Sequence, residues 1–155
     1  MIPYLVVKWL HILSSVALVG TGFGSAFYLF FTHRTGNREA IGVVSRLVVR
    51  ADTWFTLPAM IFQPVSGVWL MQRAGWTLKT GWIAGAIALY LLAGVCWLPV
   101  VWLQLRMRDL ASKAIADASA LPRRYWHYAR VWEWLGYPAF LAMAAVFYLM
   151  VVKPS

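Results

Sequence analysis

Four stretches of this chain, at about residues 3–31, 53–73, 81–105 and 130–152, are each long and apolar enough to cross a lipid bilayer. No other feature restricts the fold as severely. Roughly twenty residues of helix cover a hydrocarbon core ~30 Å thick. Within that core no water satisfies backbone N–H and C=O groups, so each stretch must close its hydrogen bonds internally, as a helix. The predicted fold is therefore all-α: a polytopic membrane protein built as a four-transmembrane-helix bundle, with residues 1–155 forming one integral membrane domain. Composition agrees, because 62% of residues are hydrophobic and 12% charged, too few charges to coat a domain that faces water. The opening run stays apolar from Ile2 to about Phe31 and lacks the basic leader and short core of a cleavable signal, so it is expected to persist as the first span.

The charges set an orientation. Arg34, Arg38, Arg46 and Arg50 lie in the first connection, and Arg106, Arg108, Lys113, Arg123, Arg124 and Arg130 in the third, whereas the middle one holds only Arg73 and Lys79. By the positive-inside rule, connections one and three face the cytoplasm and both termini face the periplasmic side of a bacterial inner membrane. The net charge of +9 thus reports topology and contact with anionic lipid headgroups. A nucleic-acid partner is excluded, since that charge is divided between two membrane-proximal connections rather than gathered on a soluble face. Most of the ten tryptophans fall near span ends, where amphipathic rings favour the headgroup level; Trp97 and Trp102 lie deeper and are expected to pack on neighbouring helices. A single cysteine, Cys96, rules out both an intrachain disulfide and a cysteine metal cluster. Glu39, Asp52, Asp109, Asp117 and Glu133 all fall at the cytoplasmic boundary or beyond it, which argues against an acid-based proton or cation relay.

Chemistry concentrates in the first two spans. In KWLH, Lys8 and His11 lie three residues apart on one helix face, about 8 and 12 Å along a helix that begins near Pro3. Lys8 can reach back to the headgroups and His11 cannot. A second positive charge beside Lys8 is disfavoured, and an uncharged imidazole is the form that binds a metal or haem iron. The alternative is structural: His11 hydrogen-bonds Ser66 or Tyr90 on a neighbouring span while Lys8 anchors the interface. In span two, TLPAMIFQPVSGVW carries Pro58 and Pro64, each of which removes a backbone donor and leaves carbonyls seeking a polar partner beside Gln63 and Ser66. Gly20 and Gly24, and Gly81 and Gly85, form small-residue steps at which spans one and three are expected to touch. His33 and His127 both lie at the cytoplasmic edge, too far from His11 to share an iron with it, and make a poor zinc site without a cysteine or a placed carboxylate.

The segments KWLHILSSVALVGTGFGSAFYLFF, LPAMIFQPVSGVWLM, TGWIAGAIALYLLAGVCWLPVVWLQLRMRDL and WLGYPAFLAM resemble a bacterial family of small predicted inner-membrane proteins of unknown function, over almost the whole chain. More distantly, K-x-x-H in span one and P-A-M-I followed by G-x-W-L in span two are similar to the HemJ type of protoporphyrinogen oxidase, a four-helix membrane protein that binds haem b. That resemblance implies His11 as an axial haem ligand. Residues 81–105 lack the lysine which that enzyme type uses in its third span, so a haem site is implied more directly than the oxidase reaction. The expected function is a haem-b membrane protein, with His11 on the iron, Met60 or an open position opposite, Lys8 close by, and electron transfer or quinol- or porphyrin-linked oxidation as its chemistry. The competing expectation is a non-catalytic membrane subunit or assembly factor, whose glycine and proline features serve contacts with a larger membrane complex or a second copy of the chain.

Overall fold

The computed structural model describes residues 2–154. Its elements, in chain order, are α1 (Ile2–Thr35), α2 (Arg38–Ala51), a π-helical turn (Asp52–Thr56), α3 (Leu57–Arg73), α4 (Gly81–Ala116) and α5 (Arg123–Val152). No strand occurs among the described residues. Three of these helices, α1, α4 and α5, are long and apolar enough to cross a membrane. The expected second span divides at the π-helical turn, leaving α3 with 17 residues. Proline explains the break: Pro58 has no N–H to continue the ladder from the preceding turn, so the backbone widens there before the α-helix resumes.

The charged connections are more ordered than their composition implies. The first contains α2, whose start is set by Asn37: its side-chain oxygen accepts from the Ala40 N–H at 2.9 Å. Ile41, Ser45 and Val48 then recur at i, i+4 and i+7 and are buried, while Arg46 and Arg50 stay exposed. The third connection shrinks to residues 117–122, because α4 continues to Ala116 and α5 already begins at Arg123. Arg38 pins the beginning of α2 to this short loop by donating to the Ser119 carbonyl at 2.9 Å.

The packed core sits at the end of the bundle that carries α2. Leu29 of α1, Ile41 and Val48 of α2, Met107 and Ala111 of α4, and Tyr125 and Trp132 of α5 converge there and are almost wholly buried. Gly42 lets α2 approach closely, since a Cβ at that position would collide with the Ile115 side chain. Toward the other end the helices separate into two pairs, α1 with α3 and α4 with α5. The glycine steps do not join spans one and three. Gly20, Gly22 and Gly24 face open space, and Gly85 instead seats Leu149 of α5.

Candidate functional site

His11 is the hinge between α1 and α3. Its Nδ1 lies 2.7 Å from Ser66 Oγ, and its backbone carbonyl accepts from Gln63 Nε2 at 2.7 Å. Gln63 and Ser66 are one turn apart on α3, so a single face of that helix grips His11 twice. Of the two partners open to His11 in the sequence, the structure selects Ser66. Ser66 Oγ also lies 2.6 Å from the Phe62 carbonyl and 3.2 Å from the Gln63 carbonyl, so its one hydrogen has three acceptors within reach. With the Ser66 hydrogen turned to Phe62, Nδ1 donates to Ser66 and the Nε2 lone pair is free; with it turned to His11, the tautomer is the reverse. Gly67 lies under the ring, where a Cβ would come within 3.4 Å of Cε1. One turn along α1, Ser14 Oγ is buried and has no hydrogen-bond partner among the described residues. Lys8 is exposed.

Met60 belongs to a different locality. Pro64 cannot donate to the Met60 carbonyl four residues earlier, and Tyr90 of α4 takes that place, donating its hydroxyl to the carbonyl at 2.6 Å with the Met60 sulfur 3.3 Å away. This contact bridges the two helix pairs. Below it opens a cavity of about 510 Å³, walled by α1, the π-helical turn, α3, α4 and α5. Met60 lines the cavity and His11 does not, so the two residues are not brought together around one space. Trp97 also lines it, whereas Trp102 packs against Tyr128 of α5 with ring centroids 5.5 Å apart.

The cytoplasmic-edge histidines also part company. His33 accepts or donates at Nε2 with the buried Tyr125 hydroxyl, 2.8 Å away, and its ring stands edge-on among Tyr125, Trp126 and Trp132. It thereby ties the end of α1 to α5. His127 is exposed on the first turns of α5.

Sequence reasoning missed the polar floor of the cavity, formed by Asp52, Thr56, Gln104 and Glu133. Their helix spacing carried the signal. Asp52, Thr56 and Met60 succeed one another at four-residue steps, so Asp52 begins a stripe that faces the cavity; Glu133 continues with Tyr137 and Phe140 along a stripe at the cavity's exposed margin.

The family model described as "Predicted integral membrane protein (DUF2269)" matches residues 5–154. The chain belongs to this family. No curated protein and no solved structure matches it. As a DUF2269 member it is an integral membrane protein, and its outward apolar side chains, such as Val16 of α1, Val95 and Leu98 of α4 and Leu141 of α5, each 60–67% exposed, have lipid as their solvent. In the DUF2269 chain the Tyr90–Met60 and His11–Ser66 bonds join α3 to two of the helices long and apolar enough to cross a membrane, α4 and α1.

Proposed function

We propose that this protein is a four-transmembrane-helix protein of the bacterial inner membrane, with both termini on the periplasmic side, that binds haem b through His11 and serves an electron-transfer role. The observation that carries the reading is the 2.7 Å contact of His11 Nδ1 with Ser66 Oγ; with the Ser66 hydroxyl donating to Phe62, the His11 hydrogen would sit on Nδ1 and Nε2 would be available as a ligand. Iron-binding histidines are held in this way, with the second ring nitrogen donating to a fixed acceptor that sets tautomer and ring plane. Gln63 restrains the backbone of the same residue, so ring position and chain position are fixed together. Haem b would supply one-electron chemistry when bound, toward a quinol or porphyrin partner. Lys8, exposed one turn before His11, is placed to meet a propionate or a lipid phosphate. The position opposite His11 is left open in this reading, because Met60 faces a separate cavity and its sulfur lies against the Tyr90 hydroxyl.

The test is spectroscopic. Protein purified in detergent from cells supplied with a haem precursor should carry a Soret band, and the pyridine haemochrome should show haem lost in His11→Ala and retained in His33→Ala and His127→Ala. Equal haem in wild type and His11→Ala at equal purity would end this reading. A second reading, a non-catalytic subunit of a larger membrane complex, is favoured by one observation: Gly20 and Gly24, one turn apart on a face of α1 outside the cavity, have no neighbour within 4 Å, a surface on which a partner helix can approach closely. It gains if the protein is colourless and crosslinks from Gly24→Cys to one defined membrane protein.

A further inference from the structure

The cavity between the helix pairs is selective in its charge. Among the residues that line it there is no lysine or arginine, although the chain has fourteen; two of its five acids, Asp52 and Glu133, are there. Asp52 is 6% exposed and accepts from the Thr56 hydroxyl at 2.8 Å, with Gln104 beside it. Glu133 accepts from the Tyr137 hydroxyl at 3.0 Å. Among the described residues neither acid takes part in an ion pair; the two that occur join Arg38 to Glu39 and Arg108 to Asp109. Arg34, Arg130 and His33 lie in an adjoining recess that Glu133 shares, while Asp52 has no such neighbour in the cavity wall. The rest of the lining is apolar and aromatic: Trp97 and Trp132 form walls, and Phe23 of α1 meets Phe140 of α5 with ring centroids 5.1 Å apart.

A carboxylate without a counter-charge in an apolar cavity is costly, and a bound cation offsets that cost. Indole faces add to the attraction for a cation that has been stripped of water. Beside Asp52, which has no basic neighbour in the cavity wall, phosphate and carboxylate groups are disfavoured. The cavity lies between α1 and α5, and its Phe23 and Phe27 margin is about half exposed on the lipid-facing surface, so a hydrophobic molecule reaches it sideways from the bilayer.

We infer that this cavity is a binding site for a lipophilic cation, an amine or quaternary onium group on an apolar body, with the charge held at the Asp52–Glu133 floor and the body against Trp97, Trp132 and the phenylalanines. The site does not depend on haem, since His11 is outside its lining.

The experiment compares two ions of nearly identical shape and opposite charge on the full chain in nanodiscs, with empty nanodiscs subtracted. Tetraphenylphosphonium should bind saturably, quench tryptophan fluorescence and bind at least about tenfold more tightly than tetraphenylborate. Asp52→Asn, which keeps the shape and can still accept from Thr56, should weaken phosphonium binding about tenfold or more; Gly136→Phe, which fills the cavity, should abolish it. Equal binding of the two ions, no saturable binding of the cation, or full binding by folded Asp52→Asn and Glu133→Gln proteins would each overturn the proposal. The comparison of the two ions on wild-type protein decides the matter even if every variant fails to fold.

Discussion

Pro64 creates a defect and Tyr90 repairs it. The missing N–H orphans the Met60 carbonyl within an apolar bundle, and the tyrosine hydroxyl supplies the donor from another helix. Tyr90→Phe should therefore destabilise the protein by about 1–2 kcal/mol. In a Pro64→Ala background, residue 64 regains its N–H, and the loss should shrink because the carbonyl is already paired. A double-mutant cycle on unfolding in mixed micelles measures this, and equal losses in both backgrounds would uncouple the two residues. The need for a partner was legible in the sequence, since a proline announces a free carbonyl. Which side chain would serve was not, because Ser66 and Tyr90 stand at similar depths and only three-dimensional packing assigns Ser66 to His11 and Tyr90 to Met60.

At the scale of elements, α2 shows how charge can mask a helix. Counted as a connection, residues 38–51 read as a basic linker; read for spacing, Asn37 caps them and Ile41, Ser45 and Val48 make a stripe that α1, α4 and α5 cover. Asn37→Ala should cost about 1 kcal/mol, seen as a lower melting temperature with the helix content of the long spans unchanged. Gly42→Leu should cost more, about 1–3 kcal/mol, because its side chain must displace Ile115 at the closest approach of α2 to α4. The same substitution at Gly22, where nothing stands within 4 Å, should leave the melting temperature almost unchanged. If Gly42→Leu were as stable as Gly22→Leu, α2 would not be docked as described. The three spans α1, α4 and α5 were legible because hydropathy reports solvent directly, whereas the expected second span divides at the π-helical turn. The helical overhangs of α4 and α5 were legible only in part, since beyond the hydrocarbon the pattern weakens while the helix continues.

On the scale of the whole molecule, the charge asymmetry predicts sidedness. Single cysteines at Arg46 and Arg123 should resist an impermeant thiol reagent added to intact cells, whereas one at Thr77, exposed in the α3–α4 turn, should react; labelling of Arg123→Cys from outside would reverse the orientation. The cavity was the least legible part of the molecule, because it belongs to no single helix: Asp52 and Glu133 sit where a topology count records a boundary, and they turn inward only once two helix pairs are set side by side. Those pairs meet tightly at the α2 end and loosely elsewhere, and this unevenness bears on how the protein comes apart. The tight end, built of Ile41, Met107, Ala111 and Tyr125, packs as a water-facing domain does, by removing apolar surface from water. The opposite end has lipid on its outer faces and is joined by bonds such as His11–Ser66 and Tyr90–Met60, for which water expulsion supplies no drive. Urea and dodecyl sulfate should then attack opposite ends of one bundle, urea loosening α2 while the spans stay helical, and the anionic detergent separating α1–α3 from α4–α5 while α2 still caps its stripe. Two non-coincident transitions, followed by fluorophores placed at each end, are the expected record of a chain that folds half by the rules of water and half by those of oil.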